Sequence, residues 1–324
     1  MAPLPQSTGG VTPWWRNRRL IPWLVQGASG LALLVLVAFL LGNLVRNLTA
    51  AGLLLSWGWL DNPSGFDIAE TLLPFNAGLP YWRALLAGLV NTVRVVVAGL
   101  VGATVLGTLV GTASFSSNGL LRRLARIYVE VIRNIPLLLQ LVFWYFVVFL
   151  SLPNGTAAIQ LPGLVLAKSG LYLFQPELVD GVWHAPLRFT VEFVALLTGL
   201  VVYTGAFIAE VVRGGVAAVP AGQWEAARSL GFNPLQTLRQ IVLPQALRVI
   251  VPGLNSQYIS LAKNSSLAVA CGYTDLYSVA ETTLNQTGRA VEVVLILLGA
   301  YLVIDLLISA LMNGLNRAVQ LRER

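Results

Sequence analysis

Cysteine and histidine are nearly absent from this chain, with one of each in 324 residues, Cys271 and His184. Neither a metal cluster nor an internal disulfide can be built from single residues of these types. Charge is scarce as well. Charged residues make up 11% of the sequence, where an ordinary soluble domain carries about a quarter. No Gly-x-x-x-x-Gly-Lys-Ser/Thr stretch occurs, so the phosphate loop of a nucleotide-hydrolysing subunit is missing. No internal repeat of useful period is evident. The net charge of +7 has no basic, aromatic-interleaved soluble segment to carry it, which argues against nucleic-acid binding.

What the sequence has in abundance is apolar length. Hydrophobic residues account for 56% and mean hydropathy is +0.74, the composition of an integral membrane protein. Residues 20–45 contain no Asp, Glu, Lys or Arg, and about 20 apolar residues suffice to cross a hydrocarbon core of about 30 Å. This run is too long for the apolar region of a signal peptide and is read as a retained span. Further spans are expected at about 84–115, 127–152, 190–212, 246–270 and 291–315, giving six. Residues 159–174 are interrupted by Pro162, Gly163, Lys168 and Gly170, so they are read as an insert lying outside the membrane. The connection over 46–82, with Asp61, Asp67 and Glu70, belongs on that same side.

Basic residues fix the expected orientation. Arg16, Arg18 and Arg19 precede the first span, and Arg122, Arg123 and Arg126 lie between the second and third. Arg213, Arg228, Arg239 and Arg248 surround the connection near residue 230, and Arg317, Arg322 and Arg324 end the chain. With six spans all of these fall on one side, which places both termini in the cytoplasm. The chain divides into an N-terminal tail, first helix and outer loop over 1–83, and a transmembrane domain over 84–324.

The most informative segment lies between the fourth and fifth spans. Glu225-Ala226-Ala227 is followed by Gly231 and, nine residues later, by Ile241-Val242-Leu243-Pro244. Pro220 and Gly222 break what precedes, residues 223–230 are good helix formers, and Gly231 stands where a left-handed cap is needed. This reads as a short helix and a turn in water. The two alanines would let another surface approach closely, and Glu225, Arg228 and Arg239 keep the segment polar.

That spacing, over about 220–244, resembles the cytoplasmic EAA loop of ABC importer permeases. The stretches Tyr203–Gly215 and Tyr128–Gln140, with Asn91-Thr92, Lys263–Leu267 and Gln286–Gly288, look like permeases for polar amino acids. The long loop after the first helix, the insert ending near Pro186 and Phe143-Trp144-Tyr145-Phe146 are similar to the larger permeases of general L-amino-acid systems. The resemblance implies an all-α type I importer fold of about six transmembrane helices with a cytoplasmic coupling helix, in a bacterial inner membrane. It also implies partners: a second, similar permease, two ABC ATPase subunits that bind ATP and Mg, and an extracytoplasmic amino-acid-binding protein. No cofactor, no metal and no enzymatic activity are expected of this chain itself.

Ionisable residues within the apolar runs complete the candidates. Glu130 and Arg133, like Glu210 and Arg213, are three apart and share a helix face, so each couple is expected to form an ion pair, or the two to cross-pair. Pro136 should kink the helix just beyond the first. Arg94, Lys263 and Asp305 are costly in hydrocarbon and should face protein or a water-filled path. For a zwitterion, Arg94 or Lys263 would meet a carboxylate, and Asp305 or polar groups at Asn264, Ser265 and Ser266 would meet an ammonium. This requires that they line one cavity. Snorkelling or a buried ion pair is the simpler reading of each. His184 is expected in an outer loop and Cys271 as a small packing residue. Two other functions are conceivable. An ion-coupled secondary amino-acid transporter would show broken helices in paired repeats. A non-transporting receptor or scaffold would not need polar residues throughout its spans.

Overall fold

The structure, a computed structural model, describes residues 20–50, 52 and 55–320. Arg16, Arg18, Arg19, Arg322 and Arg324 lie outside these residues. The chain forms two compact units, residues 1–56 and 57–324. The first holds α1 (Leu20–Ala50), apolar on every side and without buried residues of its own, as suits a helix whose solvent is hydrocarbon.

The second unit opens with a loop and a 3-10 turn (Gly58–Asp61), followed by α2 (Tyr81–Ala113). Next come α3 (Gly119–Asn134), α4 (Leu137–Val142) and a π-helical stretch (Phe143–Phe149). A β insert leads into α5 (Val191–Ala217), then short α6 (Ala221–Ser229) and α7 (Pro234–Gln236), and a second π-helical stretch (Thr237–Val242). The chain closes with α8 (Leu243–Asn264), a 3-10 segment (Ser265–Cys271), α9 (Leu276–Thr287) and α10 (Ala290–Val319).

Helices α1, α2, α5 and α10 are long and apolar enough to cross a membrane. Helix α8 has 22 residues, roughly 33 Å at 1.5 Å per residue. It is more polar because its neighbours α5 and α10 cover much of it. The expected span over 127–152 is not one straight helix. Ile135 is extended, as a residue before proline prefers, and α3 meets the α4 segment at a bend of 106°. The carbonyls freed at the break are not left bare. Gln140 is buried, and its amide donates to the carbonyls of Ile132 and Ile135, each at 2.9 Å.

The insert is β structure, which adds a small sheet region to the expected all-α bundle. Strands β1 (Ile159–Leu161), β2 (Leu164–Ala167), β3 (Gly170–Leu173) and β6 (Leu187–Phe189) form an antiparallel sheet in that order. Strands β4 (Glu177–Val179) and β5 (Val182–His184) form a separate hairpin. Asp180 and Gly181 turn that hairpin with positive φ at both positions, the two-residue geometry that matches strand twist. Tyr172, Val165 and Trp183 give the insert its own core. Residues 159–174, read as too interrupted to span, are three of these strands.

Small residues recur one turn apart on α2, Gly99, Ala103, Gly107 and Gly111, all buried: Gly107 and Gly111 pack on α5, and Gly99 faces Leu261 of α8. Lipid offers no hydrophobic drive between helices, so close backbone approach and dispersion hold such contacts. A Cβ at Gly107 would stand 2.6 Å from the Ile208 side chain and 2.8 Å from the Gly205 carbonyl. Replacing Gly107 by Val should therefore cost at least about 2 kcal/mol and lower the melting temperature of the detergent-purified protein. Gly214→Ala, where nothing lies within 4 Å of the added carbon, should leave it unchanged.

Candidate functional site

The connection between α5 and α8 builds a short helix that faces water. Helix α6 ends in a paired-hydrogen-bond cap: Phe232 N–H donates to the Ala227 carbonyl at 3.1 Å and Gly231 N–H to the Arg228 carbonyl at 3.0 Å. Gly231 has φ +78, so the left-handed cap expected from sequence is present. Asn233 then caps α7 reciprocally with Gln236, and Pro244 sits in the first turn of α8, directly after the π-helical stretch.

Helix α6 is held to its own bundle by Trp224, which packs on the main core, by the buried Ala227, and by a 3.3 Å hydrogen bond between Gln245 and Gln223. Glu225, Ala226 and Arg228 face out. Of the two alanines, only Ala226 is open to another surface, because Ala227 packs inward. Ile241 is half-buried and Leu243 is exposed. Sequence reasoning missed Leu230 and Leu235, apolar side chains 75% and 71% exposed on an otherwise polar segment. Their signal was an apolar residue on either side of the Gly231 turn.

The second pair of charges expected at a helix end forms. Arg213 Nε donates to Glu210 at 2.9 Å. The first does not: among the described residues no ion pair joins Glu130 to Arg133. The Arg133 guanidinium instead lies over the Phe207 ring, 5.0 Å from its centroid, leaning toward the α5 pair. These side chains line a cavity of about 690 Å³ between the end of α2, α3 and α5.

The candidate pathway residues separate into two groups. Lys263 Nζ stands 3.7 Å from Asp305 Oδ2, linking α8 to α10. Asp305 Oδ1 is buried and has no hydrogen-bond partner among the described residues. Ser266, beside this pair, donates to the Lys263 carbonyl at 2.8 Å, while Ser265 is buried and donates to the Ala262 carbonyl at 2.7 Å. Asn264 is half-buried. Lys263 and Ser266 border a cleft of about 280 Å³ with Tyr277, Leu298 and Tyr301.

Arg94 is not part of this group, so the condition of one shared cavity is not met for it, and the buried ion pair given as the simpler reading forms instead. Its guanidinium is paired with the Glu70 carboxylate, both side chains largely buried, and lies over Phe193 and Phe189 at 4.4 and 4.9 Å. Glu70 Oε2 also accepts the Thr190 N–H at 3.0 Å, and its carbonyl accepts Asn91 Nδ2 at 2.7 Å. One acidic residue thus ties the loop before α2 to α2 and to the start of α5. Asn91 reaches on to the Thr274 carbonyl at 2.8 Å, and Thr92 accepts the Leu276 N–H at 3.0 Å, which docks the start of α9. Asp275 caps that helix outside the long spans, and burial pushes its carboxyl up to about 7. Cys271 is fully buried against α4, a packing residue as expected, and His184 is exposed in β5.

Long apolar helices around a paired-charge interior, joined by one water-facing helix with a fixed turn, define a type I ABC importer permease fold. Residues 103–321 match the family described as the inner membrane component of binding-protein-dependent transport systems, and the chain belongs to that family. It is 38% identical to the putative amino-acid ABC transporter permease protein YhdX of Escherichia coli, over 95% of this chain and 96% of the relative. It is 37% identical to the general L-amino acid transport system permease protein AapQ of Rhizobium johnstonii, over 87% of each. Among solved structures, an amino acid ABC transporter crystallised with histidines matches with a TM-score of 0.57 at 26% identity, over 74% of this chain and 95% of that one. An inward-facing MetNI methionine ABC transporter, at 22% identity and a TM-score of 0.54, shares the fold. The chain is thus a multi-pass membrane permease subunit. Family membership implies an ATPase and a binding protein as partners, and neither the secondary transporter nor the receptor reading is favoured.

The Arg94 contact is open to a direct test. Glu70→Gln and Arg94→Gln should each destabilise the protein by about 3 kcal/mol, because each leaves a largely buried charge unpaired. The double variant should be less destabilised than the sum of the two. Thermal unfolding of the purified singles and double gives the cycle, and strict additivity would show that the pair carries no coupling.

Proposed function

We propose that this chain is the membrane-spanning permease of an ATP-driven importer of polar or general L-amino acids, with α6 as the helix that docks the ATPase. The observation that carries the coupling role is the form of the α5–α8 connection. A helix fixed from within by Trp224 and Ala227 and capped at Gly231 presents Glu225, Ala226 and Arg228 to water, with Leu230 exposed at its cap and Leu235 exposed on α7. Exposed leucines in a polar segment fit a protein partner rather than solvent. Ile241, in the π-helical stretch, and Leu243 and Pro244, at the start of α8, carry movement of the docked helix into the bundle. ATP and Mg belong to the ATPase, which supplies the energy. A second permease, two ATPase subunits and an extracytoplasmic binding protein complete the assembly.

The amino-acid reading rests on two supports. Relatives carry names such as the general L-amino acid permease AapQ and the glutamate/glutamine/aspartate/asparagine permease BztB of Rhodobacter capsulatus, the latter 33% identical over 89% of this chain. Lys263 and Asp305 also place one charge of each sign side by side, with Asp305 Oδ1 still able to accept a hydrogen bond. A zwitterion can exchange with this pair, its carboxylate taking Lys263 and its ammonium Asp305, with Ser266 and Asn264 close by. Arg94 serves the outer scaffold in this reading.

In the reconstituted complex, uptake of labelled amino acids should exceed that of sugars, peptides and inorganic anions. Transport of a non-amino-acid alone would overturn the substrate class. Glu225→Lys and Gly231→Val should express normally yet lose ATPase association and uptake, since Val at φ +78 is strained whatever space surrounds it. Normal association in either variant would refute the docking role.

Both termini and α6 are placed in the cytoplasm by the distribution of arginine. Residues 61, 177, 120 and 233 are all exposed, so packing does not block labelling at any of them. In a Cys271→Ala background, cysteines at 61 and 177 should react from outside, and those at 120 and 233 only after the membrane is opened. The reverse pattern would invert the topology.

A further inference from the structure

Helix α3 has three distinct faces. At 3.6 residues per turn, Arg122, Arg123, Arg126, Glu130 and Arg133 fall within one arc of roughly 100°. The inward face, with Ala125 buried and the Tyr128 hydroxyl donating to the Val202 carbonyl at 2.6 Å, lies against α5. Between these faces runs a third: Leu124, Ile127 and Val131 recur at helical spacing, all exposed, with no element of the described chain upon them. The helix begins at the Asn118 cap and carries no acidic residue before Glu130.

Its orientation separates it from the spans. The 106° bend at Ile135–Pro136 means that α3 and the α4 segment cannot both run along the membrane normal. The half with four arginines is the one that cannot cross hydrocarbon cheaply. Its level is set by α5, which has no Asp, Glu, Lys, Arg or His from 193 to 209 and then presents Glu210 and Arg213. The cavity shared by α3 and α5 contains Ala125, Arg126, Glu130 and Arg133 from one and Phe207, Glu210 and Arg213 from the other. Helix α3 therefore lies where the apolar run of α5 gives way to charge, at the edge of the hydrocarbon. A second hollow, of about 720 Å³, is lined by Gly119, Leu120, Arg122, Arg123 and Arg126.

We propose that α3 is an interfacial helix that seats its leucine–isoleucine stripe in the acyl chains and binds acidic phospholipid headgroups through Arg122, Arg123 and Arg126. Charge complementarity selects this occupant. Three exposed guanidiniums border an exposed apolar stripe on one helix, the pattern of a helix lying in a membrane surface, and the planar fork of arginine matches phosphate oxygens. The inference does not depend on which substrate is carried.

The test uses the full chain in nanodiscs of phosphatidylcholine with a quarter phosphatidylglycerol. Mass spectrometry of the extracted protein counts the phosphatidylglycerol retained, for wild type, for Arg122→Gln/Arg123→Gln/Arg126→Gln and for the outer-insert variant Arg188→Gln. Each arginine neutralised in the cluster should weaken acidic-lipid retention roughly fivefold, while Arg188→Gln should match wild type. A bimane probe on Leu124→Cys, in a Cys271→Ala background, should be quenched by brominated lipid and not by aqueous iodide. Equal retention in the triple variant, or quenching by iodide alone, would overturn the proposal. Co-purification with the ATPase distinguishes a protein contact: its loss in the triple variant, with lipid retention intact, would assign the cluster to that subunit instead.

Discussion

An unpaired charge in hydrocarbon costs a few kcal/mol even on the mildest scales, and the arrangement of this chain follows from avoiding that cost. The ionisable side chains described above are treated in three ways. Arg94 and Lys263 are paired across elements, with Glu70 and Asp305. Glu210 and Arg213 are paired within a turn at the level where α5 leaves the apolar layer. The arginines of α3 are removed from the crossing direction altogether by the turn at Pro136. Each treatment has a structural effect beyond electrostatics. The Glu70 contact fixes a loop of more than a dozen residues to the middle of α2 and the start of α5, and a cavity lies between α3 and α5 beside the bent segment.

The docking role proposed for α6 depends on the same bundle for its rigidity. Helices α2 and α5 meet closely enough that an added methyl at Gly107 or Gly111 would collide with the partner backbone. Helix α5 in turn packs on α8, and α6 is suspended between them. The exposed residues of α6 can transmit a load only because Trp224 and Ala227 anchor its other side. A flexible loop with the same surface would yield under the load without moving α8.

Much of this was legible in the sequence. The apolar runs marked α1, α2, α5, α8 and α10 to within a few residues, and Gly231 announced its cap because a good helix former gave way to glycine at one position. Pro136 was visible too, but a proline predicts a kink and not its size. The 106° turn depends on Gln140 satisfying the carbonyls that the break exposes, a tertiary detail no periodicity carries. The same holds for Arg94. Its partner lies 24 residues upstream in a loop, so a substrate contact stayed open beside the simpler reading of an ion pair. Helix α9 escaped notice because 12 mixed residues resemble a connection as much as a helix. The strands of the insert were hidden by their shortness, each three or four residues long.

Strand β6 runs into α5 with only Thr190 between them, and Thr190 is itself the helix cap. No slack exists at that joint: its N–H is held by Glu70 and its hydroxyl by Phe193 N–H. Helix α5 is 27 residues long, roughly 40 Å as a straight rod, and its far end is three residues from α6. The insert and α6 therefore stand at the two ends of one rod, one residue from it at the first end and three at the second. A tilt imposed on the β sheet is carried along that rod to the joint over residues 218–220 before α6, as a displacement scaled by its length.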